Sequence, residues 1–432
     1  MSTDNRLQVV LPRGVKDFLP ARAARIDYLR RRLLDHFRSW GFSLVLPAGL
    51  EHLEVLDRGL GPGLGQTVVR FDDRQSGRLV AIPPDITPQI ARIAATRMQD
   101  LPLPYRLCYS GRVLRHAEQQ SGKEREIYQA GVELIGLPQA EADAEMIAMV
   151  VEALRGLGAE GFTVDIGQVE FVRALIGDLD LDPGRMAELR DLLGRKDSAG
   201  LNALLATLPI DSARKQEISA LPRLFGPRDI LERARATIQT ETAVLALDNL
   251  EEILAILDTY QVSEHILFDL GELRGLDYHT GVTFQAFLPG MGDAVCSGGR
   301  YDNLTASYGR DLPATGFTFN VTHLLFALEK GLDAEAKRGF DVLLFQPGTD
   351  KSRAQRLAAQ LRDQGFSAAR DSMPRSLEET VDYARQAGFR FVMTIDTEGN
   401  TVGLIRTADR SQQTLDIQDI GNGKMTEVLE RS

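Results

Sequence analysis

A chain of 432 residues, 43% hydrophobic and 26% charged, can pack two or three globular units and does not have the composition of a disordered sequence. Its formal net charge of -11 argues against a polyanion-binding surface spread over the whole molecule, because such surfaces need clustered Lys and Arg; a local basic groove stays open. No stretch approaches the roughly 20 apolar residues of a membrane-spanning helix, and the start MSTDNRLQVV lacks the basic-then-apolar layout of a signal peptide, so a cytoplasmic protein without membrane contact is expected.

The proline-bounded segment Leu11 to Pro20 leads into an amphipathic helix over Ala21 to Trp40, with Ile26, Leu29, Leu33 and Phe37 at helical spacing and Gly41 ending it. Short apolar runs follow at Phe42 to Pro47, Arg78 to Pro83, Tyr105 to Arg115 and Glu126 to Gly136, broken by Gly and Pro as in an antiparallel sheet. The last two flank a polar stretch, Ala117 to Arg125, and make a long-looped hairpin suited to holding a ligand. Glu141 to Leu157 is a second periodic helix, followed by a strand over Gly161 to Gly167. From about Phe171 to Tyr260 only helical runs with polar joints occur, which marks residues 171–260 as a helical insertion. Strands resume at His265 to Leu270 and Val282 to Leu288, and a helix containing His323 closes the first part near Lys330.

Residues 338–432 change character. Asp341 to Phe345, a helix over Lys351 to Gln364, Ser367 to Arg370, a helix over Leu377 to Gly388 and Arg390 to Ile395 alternate as in a small open α/β domain. The whole therefore reads as α+β, with a mainly antiparallel core formed by residues 1–170 and 261–332. Cys108 and Cys296 are far apart and have neither CxxC nor Cys/His spacing; buried free thiols are expected, and no metal site.

Two motifs carry the strongest local signal: Glu272-Leu-Arg-Gly-Leu-Asp-Tyr-His-Thr-Gly281 and Ser297-Gly-Gly-Arg-Tyr-Asp302. Both resemble motifs of the histidyl-tRNA synthetase family, whose Arg-Gly-Leu-Asp-Tyr-Tyr signature stands here as Arg274 to His279 with a departure at the last position. Leu11 to Pro20 is similar to the family's amino-terminal entry, Pro84 to Thr87 to its Arg-Pro-Glu-Gly-Thr segment, and Arg115 to Glu133 to the motif 2 hairpin. The resemblance spans about residues 8 to 330 and implies a class II aminoacyl-tRNA synthetase-like core. It also implies a histidine pocket made by Asp85, Thr87, Arg115, Gln129, Glu133, Arg274, Tyr278, His279, Gly298 and Gly299.

Physical chemistry is consistent with that set. A guanidinium, from Arg274 or Arg115, suits the ligand carboxylate, and Asp85, Thr87 and Gln129 offer acceptors to its ammonium. By resemblance Glu133 and Tyr278 read the imidazole, while Gly298 and Gly299 let backbone approach the ring.

The nucleotide side departs from the family. Motif 2, Phe-Arg-x-Glu, is Leu114-Arg-His-Ala117 followed by Glu118, and motif 3, Gly-Phe-x-x-Gly-x-Glu-Arg, is Gly316-Phe-Thr-Phe-Asn-Val-Thr-His323. These losses should remove adenylation, so no catalytic residue and no cofactor is expected. Pro84-Asp-x-Thr-x-x-x-Ala-Arg92, with Asp85 instead of the synthetases' glutamate, resembles the regulatory subunits of ATP phosphoribosyltransferase. That resemblance implies a non-catalytic role in the first step of histidine biosynthesis, with histidine as allosteric effector, a short-form catalytic subunit as partner, and a homodimer within a hetero-oligomer. The alternative is an active histidyl-tRNA synthetase with divergent motifs 2 and 3. Residues 340–432 resemble an anticodon-binding domain, yet carry 12 Lys and Arg against 14 Asp and Glu; no nucleic-acid partner is expected.

Overall fold

A computed structural model describes residues 10–116, 124–276, 278–329, 331–332, 339–396 and 399–421. Two compact units, Met1–Asp333 and Ala334–Ser432, are distinguished by their internal contacts. In the first, the strands are β1 (Ser43–Leu44), β2 (Glu51–His52), β3 (Val69–Asp72), β4 (Leu79–Ile82), β5 (Tyr105–Leu114), β6 (Glu126–Ile135), β7 (Thr163–Gln168), β8 (Phe225–Gly226), β9 (Ile266–Asp269), β10 (Val282–Phe287), β11 (Cys296–Arg300) and β12 (Ala314–Asn320). Nine of them form one sheet in the order β1-β5-β6-β12-β11-β10-β7-β9-β8, and β2-β4-β3 form a small second sheet. Only the β1/β5 and β7/β9 pairs of the large sheet are parallel, in keeping with a mainly antiparallel α+β core.

Strand alternation divides this sheet into an apolar and a polar face. Ala130, Val132 and Leu134 of β6, Phe317 and Phe319 of β12 and Phe284 of β10 share one core with the buried sides of helices Pro20–Ser39 and Ala140–Gly156. Phe37 meets Phe317 edge-to-face at 5.7 Å between ring centres. Burial of this order, at about 25 cal/mol per Å² of apolar surface, is what holds the sheet flat against its helices. A second core on the far side joins Tyr105, Leu107 and Tyr109 of β5 to Ile90, Ala91, Ala94 and Ala95 of helix Thr87–Arg97. That helix begins within the Pro84 to Arg92 motif, runs on to Arg97 and was not anticipated as a helix; Pro88 near its start is placed where a missing N–H does no harm.

The segment read as a helical insertion carries helices Val169–Ile176, Pro183–Gly194, Ser198–Thr207, Ser212–Ala220, Asp229–Thr237 and Glu241–Thr259. Its polar joints are helix caps: Asp182, Asp197 and Asp211 each accept a hydrogen bond from a backbone N–H of the helix that follows. Buried Glu217 does the same for the last helix, accepting from the backbone N–H groups of Gln239 and Thr240. The segment also sends the two-residue β8 to the sheet edge beside β9, a pairing too short to leave a strand signal in the sequence.

In the second unit the strands are β13 (Phe340–Phe345), β14 (Ala368–Arg370), β15 (Phe389–Ile395), β16 (Thr401–Arg406) and β17 (Gln412–Asp416), in the order β14-β13-β15-β16-β17. The parallel half matches the alternation expected from sequence; the antiparallel β16 and β17 extend it. Among the described residues no helix is long and apolar enough to cross a membrane.

Candidate functional site

Register across the large sheet assembles the site. Gln129, Gly131 and Glu133 of β6 stand opposite Asn320, Thr318 and Gly316 of β12. Thr318 and Gly316 in turn face Ser297 and Gly299 of β11, which face Gln285 and Thr283 of β10. Polar and glycine residues thereby form a strip across four strands. Its outer residues Gln129, Asn320, Thr318, Ser297 and Gln285 line a cleft of about 900 Å³ together with Asp85, Arg115 and Arg274.

Five of the expected pocket residues form one bonded set. Arg115 donates from Nε to the Pro84 carbonyl (2.8 Å) and from Nη2 to Asp85 Oδ2 (3.1 Å), where Gln129 Nε2 also donates (3.1 Å). Asp85 Oδ1 accepts the Thr87 backbone N–H at 3.0 Å, and Gln129 Oε1 accepts that of Ile86 at 3.2 Å. The Thr87 hydroxyl lies 3.4 Å from the Tyr109 hydroxyl, which donates to Glu133 Oε1 at 3.2 Å. Tyr301 donates to the other oxygen, Oε2. Glu133 is only 1% exposed. Burial pushes its carboxyl up to about 8, with facing Asp85 adding to the rise and donation from Tyr301, Thr87 and Tyr109 opposing it. Burial likewise raises the phenols of Tyr109, Tyr301 and Tyr278 well above the ordinary tyrosine range, so they stay protonated, and Tyr109 and Tyr301 donate to Glu133. Neither Tyr109 nor Tyr301 was singled out from sequence; Tyr109 sits in the apolar run of β5, which reads as packing, Tyr301 lies within the Ser297 to Asp302 motif with no role assigned, and the fold brings both to Glu133.

Glycines make room for this set. A Cβ on Gly316 would stand 1.9 Å from Glu133 Oε2 and 2.4 Å from the Val132 carbonyl, and one on Gly131 would stand 2.6 Å from the Tyr109 hydroxyl. Gly316→Ala is expected to destabilise the first unit by about 1 to 3 kcal/mol, the usual penalty for overpacking. Gly63→Ala, with open space around it, should stay within about 0.5 kcal/mol. Urea unfolding of both variants checks this, and equal midpoints would remove the steric argument.

The remaining expected residues are placed differently. Arg274 lies at the rim with its side chain 64% exposed, bonded through Nε to Glu272 Oε2 at 2.8 Å; its guanidinium is already matched to a carboxylate. Tyr278 stacks obliquely on Tyr301 at 5.7 Å and edge-on to His279 at 5.0 Å. His279 donates from Nδ1 to the Arg300 carbonyl (3.1 Å), and burial lowers its pKa to about 4, which keeps the ring neutral. His279, Gly298 and Arg274 line a smaller cavity of about 120 Å³ beside the cleft. The space a Cβ would need is filled by the Phe284 ring at Gly298 and by the His279 ring at Gly299. At both glycines a side chain would collide with a neighbouring ring, so the close approach expected of them is made within the chain itself.

Toward the nucleotide side, Ala117 and Glu118 lie outside the described residues. Asn320 Oδ1 accepts the N–H groups of Thr322 and His323, capping helix Val321–Leu328 with the chain's own side chain. His323 Nδ1 donates to the Ala294 carbonyl at 3.0 Å. The two arginines lining the cleft among the described residues are both paired with carboxylates, Glu124 is paired with Lys16, and Asp293 adds negative charge. A polyphosphate would meet acids and occupied donors here. Among the described residues no group of three His, Cys, Asp or Glu side chains could hold a metal ion.

Comparison with known proteins agrees with this architecture. Residues 14–324 match the sequence model described as histidyl-tRNA synthetase, and residues 341–423 match the anticodon binding domain. A protein of Syntrophotalea carbinolica named ATP phosphoribosyltransferase regulatory subunit is 55% identical over 417 residues, covering 96% of this chain and 97% of that one. The chain belongs to the ATP phosphoribosyltransferase regulatory subunit family. A crystal structure from Bacillus halodurans, titled as a regulatory subunit of this family or a histidyl-tRNA synthetase, superposes with a TM-score of 0.78 at 29% identity. It covers 91% of this chain and all of that one. Histidyl-tRNA synthetase from Nostoc sp. PCC 7120 superposes with a TM-score of 0.81 at 20% identity, over 99% of this chain and all of that one, and so shares the fold.

Proposed function

We propose that this chain senses histidine and, through that, regulates a separate short-form ATP phosphoribosyltransferase catalytic subunit, without activating histidine itself. The observation that carries the reading is the contrast between the two ends of one cleft. On the amino-acid side Asp85, Thr87, Arg115, Gln129 and Glu133 form a connected polar set. On the nucleotide side the start of helix Val321–Leu328 is capped by the chain's own Asn320, and Asp293 adds a carboxylate to the lining. The set offers acceptors to an ammonium at Asp85 and Thr87 and a carboxyl group to an imidazole at Glu133, with Tyr278 above it. Arg274 at the rim could reach a carboxylate only by leaving Glu272. Regulation needs about 1 to 3 kcal/mol of coupling, which arises if histidine binds one state of the complex more tightly than the other.

Self-pairing of the chain within the complex is assigned to the first helix and β1. There β1 is the free edge of the sheet, and Leu44, Leu46 and Leu50 are exposed. The second unit, with its surplus of acids over bases, is assigned a contact role and no RNA-reading role.

Reconstitution with a short-form catalytic subunit tests the reading. The mixture is expected to form phosphoribosyl-ATP and to lose that activity as histidine is added, in a particle holding an even number of copies of this chain by sedimentation. The chain alone should give no histidine-dependent ATP–pyrophosphate exchange. Exchange at a synthetase's rate, or a catalytic subunit fully active and fully inhibited alone, would overturn the proposal.

A further inference from the structure

We propose that Tyr109 is a positioning residue of the pocket: its buried hydroxyl joins Thr87 at the ammonium end to Glu133 at the imidazole end and orders the protons between them. The inference rests on the histidine pocket proposed above and concerns how its two ends communicate. Tyr109 is fully buried on β5. Its hydroxyl carries one proton, and the Glu133 carboxylate, 3.2 Å away, is the stronger acceptor, so the phenol donates there. The same oxygen is then an acceptor toward Thr87, 3.4 Å away, so the one proton of the Thr87 hydroxyl points inward, to Tyr109 or to Glu133 beyond it. A hydroxyl that has given its proton inward presents only lone pairs outward. Thr87 is thereby fixed as an acceptor, the polarity an ammonium group needs.

Direction in the chain comes from the carboxyl end. Tyr301 donates to the second oxygen of Glu133, so in its charged form, reached above about pH 8, the carboxyl group receives both phenol protons. The charged or titratable groups facing Glu133 are Asp85 from the segment before helix Thr87–Arg97, Tyr109 from β5, Tyr301 after β11 and Tyr278 from the preceding loop. Asp85 is held in turn by Arg115. Gly131, directly across from Tyr109 in the β5/β6 register, leaves the room the phenol occupies. A ligand that satisfies Glu133 strengthens the donation from Tyr109 and with it the acceptor character of Thr87, so the two ends are read together.

Tyr109→Phe keeps the ring and removes the link. Calorimetric titration of the full chain with L-histidine is expected to show about tenfold weaker binding in this variant. The pH profile of binding should also move to higher pH, because Glu133 loses a donor that favours its charged form. A packing defect alone would not move that profile. Thr87→Val and Glu133→Gln should be non-additive in the parent and additive in the Tyr109→Phe background. Histidine binding with unchanged affinity and pH profile in Tyr109→Phe, or equal coupling in both backgrounds, overturns the proposal while leaving the pocket standing. Absence of histidine binding by the parent chain overturns the pocket, and this inference with it.

Discussion

Glu133→Gln is expected to weaken histidine binding about 100-fold and, at the same time, to make the chain more stable at pH 8. The first effect is read above pH 8, where the carboxyl group that the imidazole would meet is charged; a hydrogen bond to a charged group is worth up to about 3 kcal/mol, and that is roughly two decades in affinity. The second follows from burial. In the folded chain the carboxyl group titrates at about 8, against about 4.3 when unfolded. The folded state therefore holds this proton more tightly than the unfolded state does. The group's contribution to stability is fully present below about pH 4.3 and is lost as pH rises through 8. A glutamine never ionises and avoids that loss. The melting temperature of the variant relative to the parent should climb by a few degrees between pH 5 and pH 8, read by calorimetry in buffers of equal ionic strength. A gap that is flat or shrinks over that range would show that Glu133 is ionised without penalty. An unmoved histidine affinity would remove it from the pocket.

A buried carboxyl group that destabilises its own fold is a reason to look for function at that position, since a glutamine or leucine would pack more cheaply. From sequence alone Glu133, flanked by Val132 and Leu134, could equally be the outward residue of an alternating strand. The family motif resolved that ambiguity, and the register then supplied its partners. Other features stayed hidden for identifiable reasons. Helix Thr87–Arg97 lies under a motif whose prolines suggest a turn. Strand β11 is built from Cys, Ser, Gly and Arg and lacks the apolar alternation that marks a strand, and β12 shows it only briefly, at Phe317 and Phe319. At Gly298 and Gly299 a glycine in sequence announces a close approach and not what approaches; the rings of Phe284 and His279 stand where a Cβ would be. Arg274 was offered as a carboxylate clamp, and its nearest carboxylate is Glu272, two residues away on the same turn. Such local pairing is invisible to a motif and plain in a structure.

The preserved Ser297 to Asp302 motif leads to the prediction with the largest expected loss of stability. Arg300 is 7% exposed and donates to Asp143 Oδ2 (2.9 Å), Asp302 Oδ1 (3.1 Å) and the carbonyls of Leu137 (3.1 Å) and Gln139 (3.3 Å). These bonds tie β11 to the first turn of helix Ala140–Gly156, whose apolar side covers the sheet. Asp143 is 1% exposed, and its other oxygen already lacks a partner. Arg300→Ala strands that charge, and breaking one side of a buried pair typically costs about 3 to 5 kcal/mol. Arg300→Lys should recover little, because an ammonium cannot reproduce the guanidinium's fan of donors. Removing the orphaned carboxylate as well, in Arg300→Ala with Asp143→Ala, should recover part of the loss. Urea unfolding measures all three; a single Arg300→Ala variant within 1 kcal/mol of the parent would mean the pair contributes no lock. The backbone carbonyl of Arg300, which accepts from His279 Nδ1 and from the Thr280 N–H, survives every one of these substitutions. Any of the variants that still folds should therefore keep the His279 loop in place and bind histidine as the parent does, which separates the structural half of the motif from the pocket it borders.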